Sequence, residues 1–150
     1  MENSDIHNEH ELRRPAALTL LGGLYLFLFI VTVSSYGHPT PFMGAIHHGT
    51  AAGVLVFVDS LICLYLFLGL MKQQALTWYL LLCYNTFEIV NTVVNLVVIT
   101  PAELEKVVGE KVNYSGLLAS NTSVIIAVLL LSAFIYRHRD YFTNRSKYLF

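Results

Sequence analysis

The sequence predicts an all-α integral membrane protein, a four-helix up-and-down bundle with both termini in the cytoplasm. Three observations carry that expectation. Of 150 residues, 55% are hydrophobic and only 13% charged, with a mean hydropathy of +0.59, which leaves too few polar side chains to coat a soluble globule. The apolar residues gather into four runs, each about the length that crosses a hydrocarbon core at ~1.5 Å per residue. Lysine and arginine gather beside alternate ends of those runs, the bias that sets membrane orientation.

In chain order, residues 1–14 are polar and mixed in charge and read as a tail. Arg13 and Arg14 close it, and Pro15 suits the first turn of a helix, where a missing N–H costs little. The membrane domain then spans 15–136. Residues 16–35 carry no charge and form the first span. Two arginines before an apolar run ending in Ser34 and Ser35 also suit a secretory signal, but the run exceeds the usual signal core, so an uncleaved helix is expected.

Residues 36–46 hold Gly37, Pro39, Pro41 and Gly44, turn formers that stop one helix and start another. The second helix is expected over 47–71, the third over 75–99, stopped by Pro101, and the fourth over 117–136. Between the last two, 102–116 is amphipathic and mixed in charge, and suits a short surface helix or a solvated loop equally well. Residues 137–150 form a basic tail, with Tyr141, Phe142, Tyr148 and Phe150 suited to anionic lipid or to a disordered end.

Orientation follows from the cations. Arg13 and Arg14, Lys72, and then Arg137, Arg139, Arg145 and Lys147 mark one side; the 36–46 segment has none, and Lys106 and Lys111 are matched by three glutamates. Trp78, Tyr79, Tyr36 and Tyr136 sit near span ends, where aromatic rings anchor at headgroup level. A plasma or inner membrane is the expected location.

Several function classes are excluded. Net charge is −1 with no basic stripe, so nucleic acid is not a partner. Phosphate-binding loops, nucleophile elbows, HExxH and CxxC are all missing from the sequence, which leaves soluble catalysis without a starting residue. Cys63 and Cys83 lie inside apolar runs as packed thiols. Asn113, Tyr114 and Ser115 form a glycan acceptor triplet of low specificity.

The chemistry gathers at the centre. The second and third helices meet at the turn around Lys72 to Gln74, and each carries one carboxylate near its middle, Asp59 and Glu88, equidistant from that turn. At about 100° per residue, Thr77, Tyr84, Asn85, Asn91, Thr92 and Asn95 all lie within about 60° of Glu88. A polar stripe of that kind must meet protein or water, because hydrocarbon satisfies none of its groups. His48 stands about 16 Å outward of Asp59 along the helix axis.

Two carboxylates at one depth in a low dielectric cannot both be ionised cheaply, so they share a proton or a cation. With a proton, His48 marks an outer mouth and Tyr84 or Thr77 an inward path. With a cation, Asn85, Asn91 and Asn95 supply oxygen ligands. A structural role stands beside both, in which protonated acids hold helices together at about 0.6–2 kcal/mol per bond. His38, His47 and His48 are weak metal candidates, since neighbours on a helix point about 100° apart. No cofactor is indicated beyond a bound cation.

The function expected is therefore a small, homo-oligomeric membrane protein that handles protons or cations through Asp59 and Glu88. Two alternatives are a non-catalytic accessory subunit of a larger membrane complex, docked through the polar stripe, and a membrane-embedded enzyme or lipophilic-ligand binder.

Overall fold

The computed structural model describes residues 16–145. Four helices are long and apolar enough to cross a membrane: α1 (Ala16–Ser34), α2 (Gly49–Met71), α3 (Ala75–Val98) and α5 (Tyr114–Arg137). At ~1.5 Å per residue, lengths of 19 to 24 residues match a bilayer core. Most of their surface is apolar and exposed, including Phe27, Phe57, Leu130 and Val97, a pattern suited to lipid contact. Arg13, Arg14, Lys147, Tyr148 and Phe150 lie outside the described residues.

The segment expected as a plain connector contains a β-hairpin, β1 (Thr40–Phe42) and β2 (Ala45–His47), with Thr40 opposite His47. Its two-residue loop, Met43 and Gly44, has φ of 49° and 82°, the double positive φ that a tight hairpin turn needs to match strand twist. Gly44 meets this at little cost and also lies against Val98, whose Cβ is 2.9 Å from where a Gly44 side chain would begin. This hairpin shortens the second span. The expected start at His47 is corrected to Gly49, because His47 pairs in β2 and His48 is the extended N-cap residue.

At the other end of α2, the chain reverses through a Schellman motif. Gln74 N–H bonds to Gly69 O at 3.0 Å and Gln73 N–H to Leu70 O at 3.1 Å, with Gln73 left-handed at φ 53°. Gly69 lets Thr77 of α3 pack directly against α2, so the two helices meet closely beside the turn. Farther along, α2 packs chiefly on α1, and α3 chiefly on α5. Gly22 has the same role in α1, admitting the Met71 methyl.

Between 101 and 108 the chain forms α4 (Pro101–Val108), closed by a capping box between Thr100 and Glu103, Pro at its start and left-handed Gly109 after it. α5 begins three residues earlier than expected, at Tyr114, because the Asn113 side chain accepts from Gly116 N–H at 3.2 Å. Past α5, a 3-10 turn (Arg139–Tyr141) leads the chain back to the α2–α3 turn. There Ala75 N–H bonds Asn144 O at 2.8 Å and Asn144 N–H bonds Gln73 O at 3.1 Å.

The core occupies this end of the molecule. Leu18, Leu21 and Tyr25 of α1, Leu66 and Leu70 of α2, Trp78 and Leu81 of α3, Ile135 of α5 and Phe142 form one buried cluster. Trp78 donates its indole N–H to Ile135 O at 2.9 Å, which satisfies its polar atom inside that cluster. Toward the hairpin end α2 continues to bury Ala52 and Val56, and the polar residues of α3 collect there.

Candidate functional site

Asp59 sits half-buried on α2 with a hydroxyl on each oxygen. Tyr84 of α3 donates to Oδ1 at 2.9 Å, and Thr32 of α1 donates to Oδ2 at 3.3 Å. The Tyr84 hydroxyl also meets Cys63 Sγ at 3.3 Å. Three helices therefore converge on one carboxylate. Glu88, one turn beyond Tyr84, is also half-buried and interacts electrostatically with Asp59. It opens on a cavity of about 230 Å³ between α1, α3 and α5, bounded by Leu28, Thr32, Asn85, Thr92 and Val128.

A second polar layer lies just below. Tyr25 donates to Asn85 Oδ1 at 2.7 Å, and Asn85 Nδ2 donates to Ser132 Oγ at 3.1 Å, tying α1, α3 and α5 at one level. Both halves of the Asn85 amide are thus engaged within the chain. Beneath this layer the apolar cluster around Leu66, Leu81 and Ile135 closes the bundle, which separates the acids from the α2–α3 turn.

The opposite direction is more open. Thr92 borders both the Glu88 cavity and a vestibule of about 290 Å³ lined by Asn91, Asn95, Tyr114 and Asn121. The amides of Asn91 and Asn95 are committed to the hairpin. Met43 N–H bonds Asn91 Oδ1 at 2.9 Å, and Gly44 N–H bonds Asn95 Oδ1 at 2.7 Å. Asn95 Nδ2 reaches Pro41 O at 3.4 Å and Asn91 Oδ1 at 3.3 Å. The Asn91 side chain is also within hydrogen-bonding reach of Glu88.

Comparison with protein-family models, with curated proteins and with solved structures gives no match. Function therefore rests on the site itself.

Of the residues singled out from sequence, the structure gathers Asp59, Tyr84 and Glu88 and sets Asn85 directly beneath them. Asn91 spans from the acids to the hairpin, and Asn95 belongs to the hairpin. Thr77, expected on an inward path, instead packs on Gly69 and donates to Gln74 Oε1 at 3.5 Å. His48 lies in a separate crevice with Ile99, Glu103 and Lys106. His47 packs its ring edge on Phe42 at 6.2 Å, and His38 is exposed on the loop before β1. Among the described residues, no three His, Cys, Asp or Glu side chains are placed to share a metal ion.

Sequence reasoning missed Tyr25 and Thr32 on α1 and gave Ser132 on α5 no role. A signal for the first two was present: they are seven residues apart, two helical turns, and so share one face of a mostly apolar helix.

Proposed function

We propose that this chain is a proton-handling membrane protein in which Asp59 and Glu88 take up and release a shared proton. The observation that carries this reading is the division of labour between the acids: Asp59 is anchored by two hydroxyls, while Glu88 faces a cavity inside the spans. Like charges held together in a low dielectric favour one proton on the pair, and Glu88 is the member placed to exchange it with water entering past Thr92. A proton suits the site better than a larger cation, because the Oδ1 atoms of Asn85, Asn91 and Asn95 already accept hydrogen bonds.

In this reading the helices run up and down, both termini are cytoplasmic, and the hairpin end faces outward, as the cation bias supports. The vestibule is then the outer entrance, and the apolar cluster is the barrier on the cytoplasmic side. Plasma or inner membrane is the setting, and a homo-oligomer is the assembled form.

The test is proton uptake by protein reconstituted in liposomes with a trapped pH indicator. Glu88→Gln abolishes uptake while thermal unfolding in detergent stays near that of the parent. Uptake that survives Glu88→Gln, or two acid variants that lose stability with no flux to lose, leaves the acids as interhelical glue.

One observation favours a second reading, that of an accessory subunit. Leu61, Ile62, Tyr65 and Phe87 line an open apolar groove of about 570 Å³ between α2 and α3, which suits the packing of another transmembrane helix. Tyr84, Asn85, Asn91 and Asn95 of the polar stripe find partners within the chain, so docking through them is not required. Native mass spectrometry of gently solubilised protein separates the readings: fixed foreign partners support the subunit, and a lone or symmetric species supports the proton carrier.

A further inference from the structure

A second site lies at the other end of the molecule, where the chain folds back onto the start of α3. Trp78, Tyr79, Arg139, Asp140, Thr143 and Arg145 border a cavity of about 390 Å³. The Arg139 guanidinium stands 5.1 Å from the Trp78 ring centre and 5.9 Å from that of Tyr79, and donates to the Tyr79 hydroxyl at 3.2 Å. The two ring contacts and the hydroxyl bond hold the guanidinium in place, and among the described residues Tyr79 takes one of its five N–H donors. Arg145 follows Asn144, whose backbone is pinned to Gln73 and Ala75 on both sides, so the second cation is carried on an anchored segment.

We infer that this cavity binds the phosphodiester headgroup of an anionic membrane lipid between Arg139 and Arg145. Three features of the cavity select that ligand. Guanidinium forks match phosphate oxygens in geometry, and the Thr143 hydroxyl adds a neutral donor at the rim. With Asp140 opposing the two arginines, the side chains carry one net positive charge, which complements the single negative charge of a phosphodiester. The cavity also sits at the end of α3 where Trp78 and Tyr79 mark the level of headgroups, and that position selects lipid over a soluble anion.

Trp78 is the only tryptophan in the chain and is 6% exposed, so its emission reports on this cavity directly. Full-length protein in neutral detergent is titrated with short-chain phosphatidylglycerol while Trp78 fluorescence is followed. A saturable change is expected, weakened tenfold or more in Arg145→Gln and strengthened in Asp140→Asn, with little response to phosphatidylcholine. Arg139→Gln also removes the stacking on Trp78, so Arg145→Gln with unaltered thermal unfolding is the deciding variant. Equal responses to the two lipids, or an unchanged Arg145→Gln titration, overturn the site. Saturation by inorganic phosphate at the same concentration overturns the lipid assignment.

Discussion

Asn91 and Met43, 48 residues apart in sequence, are joined by a 2.9 Å hydrogen bond from the Met43 backbone N–H to the Asn91 side-chain oxygen. The bond explains how a non-glycine residue holds φ of 49°, a conformation that costs on the order of 1–2 kcal/mol. Together with Gly44 N–H on Asn95, it docks the hairpin onto α3 and fixes the rim of the vestibule that leads to Glu88.

Replacing either amide should therefore loosen the hairpin before it affects the bundle. The Asn95 bond is partly buried and the Asn91 bond exposed, so Asn95→Ala is expected to cost about 1–2 kcal/mol and Asn91→Ala less. Hydrogen exchange at 40–47 should rise in both variants, more in Asn95→Ala. Unchanged protection at Gly44 would show that the hairpin is held by something else.

Gly44 is required twice, for its left-handed backbone and for its contact with Val98. Gly44→Ala should destabilise the protein by at least ~1–2 kcal/mol, since a Cβ 2.9 Å from the Val98 Cβ forces a shift in addition to the backbone penalty. Gly44→Ala combined with Val98→Ala should recover part of the lost melting temperature, because it removes the two Val98 methyls at 2.9 and 3.2 Å and leaves the Cβ contact in place. Full recovery would mean that neither the backbone conformation nor the remaining Cβ contact carries a penalty.

At the acids, Tyr84→Phe removes one of the two hydroxyls on Asp59 and the partner of Cys63. A hydrogen bond to a charged group contributes about 1.5–3 kcal/mol, so melting should fall by a comparable amount while helix content stays constant. Proton uptake should slow without being abolished, because Thr32 still holds Oδ2 and Glu88 still faces the cavity. Uptake equal to that of the parent would remove Tyr84 from the site.

The capping box of α4 carries a pH dependence of defined sign. Thr100 donates its backbone N–H to Glu103 Oε2 at 2.8 Å and its hydroxyl at 2.9 Å, and these two bonds, with Lys106 adding a smaller effect, hold the Glu103 carboxyl below its ordinary value. A carboxyl lowered on folding stabilises the folded form above its unfolded value, and that contribution is lost as pH falls through the folded value. Protection factors of the amides in the first turn of α4, taken against the intrinsic exchange rate at each pH, should fall in acid, and Glu103→Gln should remove the dependence. A loss of protection in acid that persists in Glu103→Gln would assign it to another group.

The sequence by itself determined the four spans, the turn at Lys72 to Gln74, and the presence of one acid within each of α2 and α3, because length and apolar content report directly on a bilayer. It also contained the start of α4, since Thr100, Pro101 and Glu103 form a capping pattern, although amphipathicity alone left helix and loop level. A helix wheel shows which residues share a face but not which element that face meets. Only the tertiary structure decided that Thr32 of α1 holds Asp59, that Asn91 and Asn95 turn to the hairpin while Asn85 bonds Tyr25 and Ser132, and that residues 139–144 return to the α2–α3 turn. Those choices come from contacts between residues tens of positions apart, set by where Gly22, Gly44 and Gly69 let backbones and side chains approach, and no local periodicity encodes them.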